Sequence, residues 1–217
     1  MTISKTVYNA LLNEWGPQSW WPATSSLEMM IGAILTQNTS WTQVEKATKR
    51  LKDENALNIE SLASISSVKL ESWIRSTGYY RQKASAIKRM CNTLIKKFNG
   101  STKTLFSLET QELRMELLSW KGVGPETADS ILLYAAHRPV FVVDSYTRRF
   151  MTRHGWSTEN EPYEILAKRF TKELEAEHTV YNEYHALIVR LGKTYCRSKP
   201  QCESCPLKFL LIHPVSV

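Results

Sequence analysis

A short glycine-containing turn between two helical patterns constrains the fold of this chain more than any other feature. The turn reads Lys121-Gly122-Val123-Gly124-Pro125. Proline is favoured at the first position of a helix, and apolar residues recur after it at intervals of three and four, so a helix begins there. Leucines before the turn give a shorter helical face. The pattern predicts helix, hairpin, helix, with bare N–H groups at a helix N-terminus that suit a phosphate. A tight helix–helix turn without a ligand is the alternative.

The remaining periodicities are also helical and predict an all-α fold. Helices are predicted near 4–15, 26–35, 42–53, 59–65, 67–76, 82–98, 144–154, 162–176 and 180–193. The apolar run 140–143 is too short and solitary to indicate a sheet. A chain of 217 residues is long enough for one domain or two small ones.

The charge balance favours an anionic partner. Lys and Arg number 28 against 21 Asp and Glu, which gives a net charge of +7 and a pI of about 9.2. Nucleic acid is the common partner of such a chain, although a merely basic protein has the same balance. No apolar run is long enough to span a membrane, and no signal-peptide core begins the chain. We expect a monomer in the cytoplasm, associated with the nucleoid.

Polar and aromatic residues at predicted breaks are candidates for a binding site. Pro22 disfavours helix at the residue before it, so Trp20 and Trp21 are predicted in an extended loop. Packing and ligand binding are both open for this pair. Gln37 and Asn38 lie in the polar break after the second helix. They either cap that loop or contact a ligand.

One carboxylate, Asp144, follows the apolar run 140–143 at the start of a predicted helix. An aspartate there is a good N-cap, and this is compatible with catalysis. The hairpin together with Val142-Val143-Asp144 resembles the helix-hairpin-helix DNA glycosylases of the endonuclease III superfamily. The resemblance implies a two-domain all-α fold, with residues 23–134 forming one domain and 1–22 plus 135–217 the other. It further implies an active site in the interdomain cleft, a catalytic Asp144 and a partner that is double-stranded DNA with damaged bases. Lys121, Gly122 and Gly124 become DNA-binding candidates, and Gln37 or Asn38 is expected to fill the gap left by the flipped base.

Departures from the family pattern narrow the expected activity. Bifunctional members carry a lysine nucleophile two residues after the second hairpin glycine, where this chain has Glu126. A carboxylate cannot form a Schiff base, so we expect a glycosylase without efficient lyase activity. Adenine-mismatch members carry a catalytic glutamate at a position that aligns with Gly32, and Glu28 lies one turn earlier. This departure counts against a mismatch activity on adenine.

Several stretches are similar to the bacterial 3-methyladenine DNA glycosylase III family. They are Trp20-Trp21-Pro22, residues 32–39, the segment from Glu126 to Asp129, and Val142-Val143-Asp144. The similarity implies that Trp20, Trp21 and Trp41 stack on the damaged base. Alkylated purines such as 3-methyladenine are cationic, and a cation over an indole face gains roughly 0.5–2 kcal/mol. Glu126 either adds negative potential or favours the first turn of its helix. A glycosylase for an oxidised or mismatched base and a non-catalytic DNA-binding module remain alternatives.

Three cysteines cluster near the C-terminus as Cys196-x5-Cys202-x2-Cys205. This spacing resembles the [4Fe–4S] loop of endonuclease III, except that the first gap is one residue shorter and the expected fourth cysteine is Leu211. We expect a cluster held by the three cysteines, with His213 or an external group as the fourth ligand. Zinc bound by three cysteines and a histidine, or a vestigial loop without metal, are the alternatives. Cys91 is expected to be a core residue.

Overall fold

The computed structural model describes residues 3–211, and every regular element within that range is helical. The described α-helices are α1 (Ile3–Trp15), α2 (Ser26–Leu35), α3 (Trp41–Asp53), α4 (Ile59–Ser64), α5 (Ser67–Trp73), α6 (Tyr80–Phe98), α7 (Thr102–Phe106), α8 (Thr110–Leu118), α9 (Pro125–Ser130), α10 (Ser145–Arg153), α11 (Tyr163–Glu173) and α12 (His178–Thr194). Helix α9 continues as a π-helical turn, Ile131–Ala135, and short 3₁₀ turns lie at Arg75–Thr77 and Lys208–Leu210. The all-α prediction is confirmed.

Contacts between Cα atoms divide the chain into two compact units. The hairpin unit is Ala23–Ala136 and contains α2 to α9. The aspartate unit combines the segment that ends at Pro22 with the segment that begins at His137, and it contains α1 and α10 to α12.

The hairpin unit is organised around α2, which is buried along nearly its whole length. The Ser25 side chain accepts a hydrogen bond from the Glu28 N–H and so caps α2. The Glu28 carboxylate in turn accepts from the Thr24 N–H at 2.9 Å and pairs with Lys52 at 2.6 Å. Burial raises the pKa of Glu28, but these hydrogen bonds and the Lys52 charge outweigh it and lower the pKa. Glu28 therefore stabilises the start of α2.

The core of the aspartate unit is aromatic. Phe141 stacks on Phe170 with ring centroids 4.0 Å apart, and Tyr181 and Tyr184 meet Phe141 edge-on. All four side chains are almost completely buried. These contacts hold Phe141, in the irregular segment before α10, against α11 and α12.

A glycine lets α10 and α12 approach closely. A Cβ on Gly192 would lie 2.2 Å from Tyr146 Cδ1, a distance that real Cβ atoms do not reach. Arg149 adds a second connection, because its Nε donates to the Cys196 carbonyl at 2.7 Å and its Nη2 to the Gly192 carbonyl at 2.9 Å. The start of α10 is thereby held on α12.

The structure departs from the sequence predictions at element ends and in short elements. Helix α7 was not predicted, because five residues are too few to show a period. Helix α6 begins at Tyr80, two residues before its predicted start, after Tyr79 in a left-handed conformation. Segment 140–143 forms no strand. Within residues 3–211, no helix combines the length and the hydrophobicity that crossing a bilayer requires.

Candidate active site

Asp144 is the N-cap of α10. Its Oδ1 accepts a hydrogen bond from the Thr147 N–H at 2.7 Å, and its Oδ2 lies 3.6 Å from His185 Nε2 on α12. The Asp144 side chain is 13% exposed and that of His185 is 6% exposed. The carboxylate is therefore fixed on both sides, while part of it stays accessible to solvent.

The surroundings of Asp144 favour its charged form. Burial alone raises the pKa of this carboxyl, but the neighbouring His185 and the hydrogen bond from the Thr147 N–H outweigh burial and lower it. A carboxylate with a lowered pKa is a weak proton acceptor but a permanent negative charge. It is suited to stabilising a positive charge that develops nearby.

The hairpin between α8 and α9 depends on one of its two glycines. Gly122 has φ of +99°, and a Cβ there would lie 3.1 Å from the Ala86 Cβ. Gly124 differs, since its φ of −97° is open to any residue and a Cβ there would meet nothing within 4 Å. The hairpin fold thus requires glycine at Gly122 only.

Gln37 ties the loop after α2 to the hairpin. Its Nε2 donates to the Gly122 carbonyl and to the Thr127 hydroxyl, both at 2.9 Å. Asn38, the next residue, is exposed in a left-handed conformation. Of the two candidates, Gln37 therefore makes hydrogen bonds within the hairpin unit, whereas Asn38 is exposed to solvent.

A basic pocket lies beside this loop, lined by Gln37, Asn38, Tyr79, Arg81, Gln82, Lys83, Ser85, Ala86, Arg89, Lys121 and Gly122. Four of these residues are lysine or arginine, and no acidic residue lines the pocket among the described residues. Arg89 Nη2 donates to the Lys121 backbone carbonyl at 3.1 Å. Lys121 itself is exposed. The pocket is therefore positive and borders the hairpin.

Lys83 is the buried basic residue of this pocket. Its ammonium donates to the Leu35 carbonyl at 2.9 Å and to the Thr77 carbonyl at 2.7 Å, and burial lowers its pKa to about 8. The first bond satisfies a carbonyl at the end of α2 and the second one at the end of the 3₁₀ turn, so Lys83 supports the loop that carries Gln37 and Asn38.

The other hairpin-unit candidates lie at helix starts. Glu126 is exposed in the first turn of α9. Trp41 is half-buried and is the first residue of α3, one residue earlier than the predicted helix start.

Trp20 and Trp21 belong to the aspartate unit and lie in an irregular loop, both half-buried. Their ring centroids are 5.8 Å apart with the planes at 65°, and the Lys193 ammonium lies 5.5 Å above the Trp20 ring. The loop is anchored to α12, because the Gln18 N–H donates to Glu183 at 2.6 Å and Arg190 donates to the Gln18 side chain at 3.0 Å.

The three clustered cysteines line one pocket of the aspartate unit and form no disulfide. Arg153 donates to the Cys196 sulfur at 3.4 Å, and the Leu207 N–H donates to the Cys205 sulfur at 3.4 Å. Burial, with the neighbouring sulfurs of Cys196 and Cys202, raises the pKa of the Cys205 thiol to about 11. Within residues 3–211 no three His, Cys, Asp or Glu side chains are grouped closely enough to hold a metal ion.

The fourth-ligand candidates have different positions. Leu211 lines the cysteine pocket, and His213 lies outside the described residues. Cys91 is fully buried in α6 of the hairpin unit, where burial raises its thiol pKa to about 12. It is a core residue, as predicted.

Sequence reasoning missed His185 and Lys83. His185 is 41 positions from Asp144, a separation that no local pattern connects. In the sequence, Lys83 looks like one more basic residue of an amphipathic helix. The only signal is general: the end of a helix such as α2 leaves carbonyls that need donors.

The helical architecture, the hairpin and the capping aspartate define a helix-hairpin-helix fold, and comparisons agree. Residues 31–176 match the family profile of the HhH-GPD superfamily base excision DNA repair proteins. A candidate DNA repair glycosylase of Methanocaldococcus jannaschii is 44% identical over 204 residues, which are 93% of this chain and 92% of that protein.

Two solved structures are similar over nearly the whole chain. The H. pylori 3-methyladenine DNA glycosylase bound to 1,N6-ethenoadenine has a TM-score of 0.76 at 31% identity, covering 88% of this chain and 95% of that one. Endonuclease III in a non-covalent complex with DNA has a TM-score of 0.83 at 26% identity, covering 98% and 96%. The chain therefore belongs to the HhH-GPD superfamily of base excision DNA repair proteins and is a DNA glycosylase. The resemblance to endonuclease III and the predicted fold are confirmed.

Proposed function

We propose that this glycosylase excises cationic alkylated purines such as 3-methyladenine from double-stranded DNA. The observation that carries the proposal is Asp144, a single carboxylate kept charged by His185 and Thr147. A cationic base is already a good leaving group, so its removal needs charge stabilisation on the sugar more than a strong general acid. The likeness to the H. pylori 3-methyladenine enzyme supports the same substrate class.

Recognition of the base is assigned to Trp20, Trp21 and Trp41. A flipped base stacked on an indole gains about 1–3 kcal/mol, and a cationic base gains a cation–π contribution as well. The Lys193 ammonium above Trp20 supports the idea that this ring attracts positive charge. Glu126 is assigned the supporting role of negative potential beside the base.

DNA backbone binding is assigned to the hairpin and the basic pocket. Position 124 is glycine, although its backbone conformation and the open space around it would accept a side chain. The absence of a side chain there supports close approach by an external group such as a phosphate. Lys121 and Arg89 supply positive charge there, and the exposed Asn38 is the candidate for filling the gap left by the flipped base. Affinity for DNA should accordingly fall with salt.

We also propose that the enzyme removes the base without cleaving the strand. Glu126 stands where bifunctional members have the lysine that attacks the sugar, and a carboxylate cannot form the Schiff base. The test is borohydride trapping on DNA that contains the lesion. Wild type should give no covalent adduct, whereas Glu126→Lys should give one. An adduct with the wild-type chain contradicts the proposal.

The proposed cofactor is an iron–sulfur cluster bound by Cys196, Cys202 and Cys205. The donor set fits by its chemistry, because three soft sulfur ligands share one pocket; Cys196 accepts a hydrogen bond from Arg153, and Cys205 accepts one from the Leu207 N–H. When bound, such a cluster cross-links the loop. Arg149 and Arg153 join this loop to α10, the helix that Asp144 caps. The role of the loop is thus structural, and its lysines and arginines are expected to face phosphates.

The deciding experiment measures release of free bases from methylated DNA. Wild type should release 3-methyladenine, and Asp144→Asn should release it far more slowly. A parallel panel of duplexes with oxidised or mismatched bases tests the second candidate, a glycosylase of endonuclease III-like specificity, which the likeness to endonuclease III supports. Release of an oxidised pyrimidine but no 3-methyladenine would overturn the substrate proposal. Salt-sensitive binding with no release of any base would favour the DNA-binding module.

A further inference from the structure

A histidine that the cysteine spacing does not point to lines the cysteine pocket. His154 follows directly after α10, is 6% exposed, and shares the pocket with Cys196, Cys202 and Cys205. Leu211, at the position where the resemblance leads one to expect a fourth cysteine, lines the same pocket. The position of the missing thiolate is therefore occupied by a side chain that cannot coordinate, and the same pocket contains a side chain that can.

The imidazole of His154 is oriented like that of a metal ligand. Its Nδ1 lies 2.9 Å from the Phe150 carbonyl, and a carbonyl can only accept, so Nδ1 carries the proton. Nε2 is buried and has no hydrogen-bond partner among the described residues. Metal-binding histidines commonly donate one ring N–H to a backbone carbonyl and coordinate through the other nitrogen.

With the proton on Nδ1, the lone pair of the ring is on Nε2, and that nitrogen has no hydrogen-bond partner among the described residues. Trp156 packs on the ring with centroids 4.5 Å apart and restricts its rotation.

We propose that His154 Nε2 is the fourth protein ligand of a metal centre held by Cys196, Cys202 and Cys205. The inference rests on the proposal that the cysteine loop binds metal, and it deepens that proposal by assigning the ligand set as Cys3His. Among the described residues these donors are not grouped at metal-binding distances, so the proposal requires their side chains to move when metal binds. Arg153, which donates to the Cys196 sulfur, places a positive charge beside the sulfur ligands.

The same donor set serves an iron–sulfur cluster or a single zinc ion, and metal analysis separates the two. Iron, zinc and acid-labile sulfide are measured per chain in anaerobically purified full-length protein. The variants are His154→Ala and His154→Cys. His213→Ala tests the rival ligand, and His137→Ala is the matched control for loss of a histidine elsewhere. The second measurement is the rate of metal loss to a chelator.

We expect metal in the wild type, in His137→Ala and in His213→Ala. His154→Ala should lose its metal about tenfold faster or lack it, since removal even of an outer partner costs 10–100-fold in affinity. His154→Cys should retain metal, because a thiolate can replace the imidazole. Helical circular dichroism establishes that each variant is folded.

Each outcome decides a different point. A wild-type chain that holds no iron or zinc, even after reconstitution with either, removes the metal centre itself and with it this inference. Metal that persists in His154→Ala and disappears in His213→Ala overturns the assignment of His154 alone. If His154→Ala does not fold, the ligands are identified by pulsed EPR or X-ray absorption of the metal-loaded His213→Ala protein. A histidine nitrogen bound to the metal is expected, and a ligand shell of sulfur alone contradicts the assignment of His154.

Discussion

The replacement of Asp144 by asparagine separates the two functions of this side chain, the helix cap and the charge. Asparagine caps helices about as well as aspartate, so the 2.7 Å hydrogen bond from the Thr147 N–H should persist. Only the negative charge is lost. We therefore expect a folded protein whose stability changes by no more than about 1 kcal/mol, and whose activity is nearly abolished.

The size of the activity loss follows from the geometry. Asp144 Oδ2 lies 3.6 Å from its neighbour His185 Nε2, and at such a separation two opposite unit charges attract by about 5 kcal/mol at an effective dielectric constant of about 20. A positive charge that develops on the sugar at a similar distance gains energy of the same order, part of which desolvation offsets. Removing one such group in other enzymes costs 10²–10³-fold in rate, roughly 3–4 kcal/mol, and we expect a loss in that range.

The assay is single-turnover release of 3-methyladenine from a methylated duplex, with thermal unfolding and DNA affinity measured on the same preparations. Asp144→Ala is the matched control, because it loses the cap as well and should unfold with about 0.5–2 kcal/mol less stability. A wild-type rate for Asp144→Asn refutes the electrostatic role. A loss of stability equal to that of Asp144→Ala would show that the cap, not the charge, explains the loss of activity.

Three further changes test other parts of the structure. Gly122→Ala should destabilise the protein by about 1–2 kcal/mol because of the positive φ at this position and the close Ala86 side chain. Gly124→Ala should unfold like wild type and weaken DNA binding. Equal thermal unfolding of the two variants contradicts the conclusion that only position 122 requires glycine. His185→Gln removes the group that most lowers the pKa of Asp144, so that pKa should rise. Activity that depends on the charged carboxylate should then be lost at a higher pH than in wild type. An unshifted acid limb of the pH–rate profile contradicts the pairing of Asp144 with His185. Lys83→Met leaves two buried carbonyls without their donor and should cost about 1–3 kcal/mol in thermal unfolding, while a variant as stable as wild type shows that the carbonyls find other partners.

The sequence was sufficient where the cause is local. Helix periodicity, Pro125 at the start of α9 and Asp144 at the cap of α10 are set by residues within a few positions of one another, and the predicted helices appear with small shifts at their ends. The hairpin and the loop position of Trp20 and Trp21 follow in the same way. Their functional assignments came from resemblance, and the substrate, the lyase activity and the metal stay predictions.

The tertiary structure decided what depends on distant partners. His185 reaches Asp144 across 41 positions, and Gln37 reaches the Gly122 carbonyl across 85, because helix packing and not sequence spacing brings these side chains together. His154 looks like an ordinary residue at the end of a helix until the chain folds and places its ring beside three cysteines. Local sequence fixes which backbone groups form helices, whereas the pKa of a carboxyl or the partner of an imidazole is fixed by which helices pack together.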